Sequence, residues 1–123
     1  MNTTQTRFGA KQIAIVLLTI ATAVIHLSLA FNAFGIGDMT TTIMFGLNGL
    51  GYLALVAAYY LPVQFFQRYH HLVRWAFIVF TAVTILGWVA IGDKSWPGGA
   101  VGYLTKVVEL VLVVLLFTDK NRS

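Results

Sequence analysis

Residues 12–34 read QIAIVLLTIATAVIHLSLAFNAF, and this stretch decides the fold class because it contains no charged side chain. A helix needs about 20 mostly apolar residues to cross the ~30 Å hydrocarbon core of a bilayer, so the stretch predicts a transmembrane helix. A second interpretation is a signal peptide, with Arg7 and Lys11 at its start and a cleavage site at residues 28–30. The apolar run continues past that site to Phe34, which favours the transmembrane helix.

Composition supports the same class for the whole chain. Of its 123 residues, 59% are hydrophobic and 10% are charged, whereas charged residues average about 25% in soluble domains. The chain therefore has too little polar surface for water, and we expect a lipid bilayer as its main partner. The absence of cysteine excludes disulfides and thiolate metal sites. The net charge of +4 comes without a run of Lys and Arg, so no nucleic-acid partner is expected.

Three further apolar stretches follow the first, at residues 43–61, 72–91 and 102–118. The sequence GIGDMTTT (35–42) ends the first span and supplies threonine caps for the second. Pro62 ends the second span, and GDKSWPGG (92–99) separates the third from the fourth. Strand-like alternation is absent from the sequence. We therefore predict an all-α fold, an integral membrane four-helix bundle that forms one transmembrane domain over residues 1–123.

The basic residues predict the orientation of this bundle. Two of them, Lys94 and Lys106, belong to one side of the predicted bundle, and the other six belong to the opposite side: Arg7, Lys11, Arg68, Arg74, Lys120 and Arg122. Because basic residues accumulate in cytoplasmic loops, both termini are expected in the cytoplasm. The predicted location is the plasma membrane, with four spans.

Each predicted span carries a stripe of polar or small residues at helical spacing, which should face the other helices. At helical rise, His26 lies ~12 Å and Glu109 ~9–11 Å below the outer ends of their spans, so the two can meet. Ionisable groups within a span are costly and point to function. The hypothesis is an outer-half pocket for a small ligand, proton or cofactor. Its residues are His26, Asn48, Tyr52, Thr84, Trp88, Lys106 and Glu109.

A structural interpretation competes with this one. Lys106 and Glu109 could simply neutralise each other, with His26 bonded to a nearby hydroxyl. Small residues and hydroxyls then only join helices, and the chain acts as an accessory subunit, in a homo-oligomer or a larger membrane complex. The residues assigned to helix packing are Thr22, Gly51, Ala54, Ala58 and Thr81.

Cofactor and enzyme signatures are weak. No cofactor is predicted, although His26 could bind haem b, alone or with its copy across a dimer. A zinc site is disfavoured by the three histidines and the absence of cysteine. The chain lacks a glycine-rich phosphate loop, HExxH and GxSxG, so no catalytic or metal-binding residue is assigned and an enzyme is not expected.

Three stretches carry a resemblance to a known group of proteins: NGLGYLALVAAYYLP (48–62), RWAFIVFTAVTILGW (74–88) and GYLTKVVELVLVVLL (102–116). Together they resemble small four-span membrane proteins of bacteria and archaea that have no assigned function. The resemblance implies the four-helix architecture and a prokaryotic plasma membrane, and it implies no catalytic residue.

Overall fold

The computed structural model describes residues 9–91 and 99–119, and five helices account for most of them. Their bounds are Ala10–Gly35 (α1), Met39–Tyr60 (α2), Gln64–Arg68 (α3), His70–Ile91 (α4) and Ala100–Thr118 (α5). Helices α1, α2, α4 and α5 are long and apolar enough to cross a membrane. The described ranges contain no strand. The predicted all-α bundle is confirmed, with four helices of the length and composition that a membrane span requires. Helix α3 is an additional short helix after Pro62 that the sequence did not predict.

The start of α2 differs from the prediction. The cap is Asp38 rather than a threonine: its Oδ1 accepts from the Thr41 amide at 3.1 Å, and its Oδ2 accepts from the Thr41 hydroxyl at 2.6 Å. The threonines at 40–42 therefore lie inside the helix, which begins at Met39. These hydrogen bonds, that of the Thr41 side chain first, hold the pKa of Asp38 below its usual value. Gly37 precedes the cap with φ +81°, a conformation that glycine adopts without strain.

The four long helices run alternately up and down and form a ring in the order α1, α2, α4, α5. The most extensive contact joins α1 to α2. We call the end where the start of α1 meets the end of α5 the terminal end. There Lys11 Nζ donates to Thr118 O at 3.1 Å, and Gln12 Nε2 donates to Asp119 Oδ1 at 2.9 Å. The opposite end, with the turn at residues 36–38 and with Gly99, is called the turn end.

The terminal end is held together by polar side chains. The Tyr59 hydroxyl donates to Asp119 Oδ2 at 2.6 Å. The buried Arg74 donates from Nη1 to the carbonyl oxygens of Leu116 and Phe117, at 3.2 and 3.4 Å. A cation at these carbonyls opposes the partial negative charge at the C-terminus of α5. The α1, α2, α4 and α5 ends that meet here are therefore locked together by side-chain bonds.

The basic residues of the described ranges follow the predicted asymmetry in part. Lys11, Arg68 and Arg74 lie toward the terminal end, and Lys106 lies in the half nearer the turn end. The other four basic residues lie outside the described residues: Arg7, Lys94, Lys120 and Arg122. The cytoplasmic placement of both termini stays a prediction.

The bundle is apolar outside, and its interior combines an apolar core, which includes Ile15, Phe77 and Leu112, with buried polar side chains. Large apolar side chains are exposed along the spanning helices, including Phe31 (77%) and Leu86 (65%). The interior buries polar side chains on three helices: Thr19, Thr22, His26, Thr81, Thr105, Lys106 and Glu109. Exposed apolar surface on this scale is unfavourable in water and neutral against lipid tails. This distribution of side chains suits a lipid environment.

Candidate functional site

The centre of the bundle contains a buried carboxylate, that of Glu109, which is 0% exposed. Its Oε2 accepts hydrogen bonds from the Thr22 hydroxyl at 2.9 Å and from the Tyr52 hydroxyl at 3.0 Å. Its Oε1 pairs with Lys106 Nζ, one helical turn away on α5. A buried charge is tolerated when it is paired and hydrogen-bonded, and this carboxylate has three donors. We call these four residues together with His26 the Glu109 cluster.

His26 is fixed by its own helix. Its Nδ1 lies 2.7 Å from the carbonyl oxygen of Thr22. Because a carbonyl oxygen only accepts, Nδ1 carries the proton. The other nitrogen, Nε2, lies 3.9 Å from Glu109 Oε2, beyond hydrogen-bond range. A neutral His26 therefore presents Nε2 as an acceptor, and Glu109 is satisfied by Thr22, Tyr52 and Lys106 instead.

A cavity of about 580 Å³ lies on the turn-end side of the Glu109 cluster. All four spanning helices contribute to its wall, and its volume falls within the range of small-molecule sites, roughly 300–1,000 Å³. Five residues that the sequence assigned to a pocket line it: His26, Asn48, Thr84, Trp88 and Lys106. The other two, Tyr52 and Glu109, are not part of the lining, but they belong to the Glu109 cluster together with the lining residues His26 and Lys106. The structure thus places all seven residues either in the cavity lining or in the Glu109 cluster next to it.

One residue of the cavity lining, Asn48, contains an orphaned polar atom that is itself fully buried. Asn48 Nδ2 donates to Thr84 Oγ1 at 2.8 Å, and the Thr84 hydroxyl donates its own hydrogen to Phe80 O at 3.0 Å. The Thr84 oxygen can therefore only accept from Asn48, which fixes the orientation of the amide. Asn48 Oδ1 is buried and has no partner among the described residues. Such an atom is costly in an apolar surrounding.

A glycine allows close packing in one part of the cavity wall, where Trp88 lies against Gly102. A Cβ added at Gly102 would lie 2.5 Å from Trp88 Nε1, so the indole packs directly on the α5 backbone. Trp88 also meets Tyr103 edge-on, with ring centroids 5.1 Å apart. The sequence placed Trp88 in the pocket but gave no sign of this close approach.

Of the residues that the sequence assigned to helix packing, some lie between helices and others lie partly on the outside of the bundle. Gly51 lies against Phe80, since a Cβ there would lie 2.6 Å from Phe80 Cζ. Thr22 belongs to the Glu109 cluster. Thr81 is fully buried but bonds Phe77 O on its own helix at 2.9 Å. Ala58 is half-buried and Ala54 is exposed, so the predicted small-residue face lies partly on the outside of the bundle.

Helices α1 and α2 also pack closely at Gly49, a residue that was not among those predicted for helix packing. A Cβ there would lie 2.7 Å from Leu27 Cγ and 3.0 Å from Ala23 O. The signal was present, because Gly46 and Gly49 are three residues apart on one helix face and α1 carries Ala23 and Ala30.

Residues 2–118 match the model of a family described as a family of unknown function, DUF7475. The chain belongs to DUF7475. No curated protein and no solved structure matches it. The predicted resemblance to an uncharacterised family is confirmed by this membership, while the prokaryotic source stays a prediction. The description of the family names no activity, so membership alone does not indicate what the cavity does.

Proposed function

We propose that this DUF7475 chain is a small membrane-embedded binding protein whose cavity takes up a small amphipathic molecule between its spanning helices. The observation that carries the proposal is the cavity of about 580 Å³, which is lined by all four spanning helices and ends at the Glu109 cluster. Ligand sites are mostly apolar concavities with a few convergent polar groups, and bundle interiors are frequent locations for them. This cavity has that composition.

The polar and apolar parts of the wall are arranged for an amphipathic ligand. Leu29, Phe45 and Val83 supply apolar surface, while His26 and Lys106 supply polar groups at the deep end. A molecule with one polar end and an apolar body matches both parts. With both termini in the cytoplasm, as the basic residues suggest, the cavity lies in the outer half of the plasma membrane.

The absence of native cysteine allows a matched test of the cavity. Thr105 and Thr81 are both buried, and each hydroxyl bonds a carbonyl on its own helix, but only Thr105 lines the cavity. In purified protein, a small hydrophilic thiosulfonate should label Thr105→Cys in the folded state. It should label the control Thr81→Cys only after denaturation.

Native mass spectrometry of the wild-type protein then tests occupancy. A co-purified small molecule should be present and should be lost from Gly87→Phe. A Cβ at Gly87 meets nothing within 4 Å, and the new ring would fill the cavity that Gly87 lines. Equal protection of both cysteines, together with no bound molecule, would exclude the proposal.

A second candidate function is that of an accessory subunit, and the surface of α1 favours it. Ser28 and Asn32 are polar and exposed on a spanning helix, beside a surface groove of about 470 Å³. Polar side chains at such positions join helices in membranes. If a second copy docks there, Asn32→Cys should form disulfide-linked dimers in native membranes, and Leu47→Cys, on the exposed surface of α2, should not.

A further inference from the structure

The terminal end of the bundle contains two cations, those of Lys11 and Arg74, that no carboxylate of the described residues neutralises through an ion pair. We infer that this end binds the headgroup of an anionic phospholipid, whose phosphate accepts hydrogen bonds from Arg74 Nη2 and Lys11 Nζ. The site is separate from the cavity, since neither residue belongs to the cavity lining.

The two cations meet at the end of α5. Lys11 Nζ, from α1, donates to Thr118 O at 3.1 Å. Arg74 Nη1, from α4, donates to Leu116 O and Phe117 O, at 3.2 and 3.4 Å. Because these three carbonyl groups are consecutive in the chain, both cations lie at the same helix terminus. Two separate helices thus direct positive charge to one place.

The negative charge that the described residues supply there is too small for both cations. The carbonyl groups of a helix C-terminus together carry about half an elementary charge. Asp119 is the one acidic residue of the described ranges at this end, and it accepts from Gln12 and Tyr59. Arg74 is only 6% exposed, and a buried guanidinium without a counter-charge is costly. An anion from outside the chain would remove that cost.

Such an anion can reach Arg74 through one nitrogen of the guanidinium. Nη1 is bonded to α5, and Nε is buried without a partner among the described residues. Nη2 also lacks a described partner but, unlike Nε, it is not fully buried. Lys11 Nζ makes an exposed hydrogen bond and has two further N–H groups, because an ammonium carries three. Both side chains therefore offer accessible donors.

The surroundings of these donors favour a lipid headgroup over a soluble anion. Lys11 and Arg74 lie near the ends of the spanning helices α1 and α4, at the level where the headgroups of a bilayer lie. Trp75 and Phe117 are 42% and 53% exposed and meet edge-on, with ring centroids 6.2 Å apart. Arg74 Cζ lies 5.2 Å from the centre of the Trp75 ring. Exposed aromatic rings next to two cations match the acyl chains and the phosphate of one lipid.

Native mass spectrometry of the purified full chain tests this inference, with phosphatidylglycerol or phosphatidylcholine of the same acyl chains added. Both lipids contain a phosphate, but only phosphatidylglycerol has a net negative charge. Wild type should bind phosphatidylglycerol about tenfold more tightly, because hydrogen bonds between charged groups are strong. In Arg74→Gln this preference should fall to about twofold or less, and in Lys11→Gln to about two- to fourfold.

The matched control is Arg68→Gln, which removes the same charge from an exposed residue of α3 and should keep the preference at about tenfold. An equal loss in Arg68→Gln and Arg74→Gln would mean attraction to net charge alone and overturns the inference. Equal affinity of wild type for the two lipids also overturns it, as does a full preference in Arg74→Gln. If Arg74→Gln does not fold, wild type, Lys11→Gln and Arg68→Gln decide by the same criteria.

Inorganic phosphate distinguishes a lipid site from a site for free anions. It is added at the concentration of phosphatidylglycerol that half-saturates wild type. Lipid binding should stay unchanged, because inorganic phosphate has no acyl chain to contact Trp75 and Phe117. Displacement of the lipid by an equal concentration of phosphate overturns the assignment to a lipid.

Discussion

Removing both charges of the Lys106–Glu109 pair should damage the protein less than removing either one. The variants are Lys106→Met, Glu109→Gln and their combination. Glu109→Gln keeps an oxygen that can accept from Thr22 and Tyr52, which bond the native carboxylate at 2.9 and 3.0 Å, but it leaves the ammonium buried without its counter-charge. Lys106→Met leaves the carboxylate with hydroxyl donors only.

The expected magnitudes follow from the burial of both side chains, which are 7% and 0% exposed. Breaking a buried ion pair by removing one partner costs about 3–5 kcal/mol, because the remaining charge stays in an apolar surrounding. Replacing both partners by uncharged groups of similar volume is often close to neutral. We therefore expect each single variant to lose ~3–5 kcal/mol of unfolding free energy and the double variant to lose ~2 kcal/mol or less, a coupling of several kcal/mol.

Unfolding of the purified variants in a titration with SDS, followed by circular dichroism, measures these losses. Lys11→Met serves as a control, since Lys11 lies at the terminal end and donates to Thr118 O rather than to a buried carboxylate. It should cost about 0.5–1.5 kcal/mol. A double variant whose loss equals the sum of the two single losses would refute the reasoning, because the two charges would then not interact.

Three shorter predictions follow. Gly49→Ala should destabilise the bundle by ~1–3 kcal/mol because the new Cβ meets Leu27 Cγ at 2.7 Å, whereas Gly46→Ala, with 3.9 Å to its nearest neighbour, should not; equal SDS unfolding of both would contradict this. An impermeant thiol reagent should label Asp38→Cys but not Gln67→Cys in whole cells, and the reverse pattern would invert the orientation. A pH titration of the residue 41 amide shift should report a pKa for Asp38 below about 3.9, and this pKa should rise in Thr41→Val. The cap therefore stabilises α2 fully at pH values above about 3.9, and this stabilisation is lost as the pH falls through the lowered pKa. An ordinary pKa for Asp38 in the wild-type protein would contradict this.

The sequence predicted the fold through one strong constraint. A span must be about 20 apolar residues long, and turn residues interrupt such runs visibly, so the four helices could be placed to within a few residues. Local hydrogen bonding was harder to predict. The sequence suggested threonine caps for α2, but Asp38 has a carboxylate that accepts both the amide and the hydroxyl of Thr41, and it therefore caps the helix.

The candidate site was predictable for a related reason. Helical periodicity and depth are both computed from residue number alone, and they placed His26 and Glu109 at one level. The hydrogen-bond partners of these side chains could not be predicted from residue number. Glu109 bonds Thr22 and Tyr52 rather than His26, because the His26 ring turns back to the carbonyl oxygen of its own helix. Small differences in side-chain rotation decide this, and the sequence pattern does not encode them.

The volume of the cavity was also hidden from the sequence. It depends on how closely backbones approach: Gly51 lets Phe80 pack on α2, and Gly102 lets Trp88 pack on α5. Both aromatic residues line the cavity, so two glycines help to set the size of the space between them. A glycine in a spanning helix has several explanations, and only the positions of its neighbours distinguish them.

The buried polar groups of the chain must be satisfied inside a bundle whose outer surface is apolar. In water a protein can leave a polar group to the solvent, but lipid offers none, so each buried group must find a partner within the bundle. Thr19, Thr81 and Thr105 do so on their own helices, and Glu109 does so across three helices. Asn48 Oδ1 has no such partner among the described residues. Because Thr22 and Tyr52 donate to Glu109 from two other helices, the Glu109 cluster joins α1, α2 and α5 through one carboxylate.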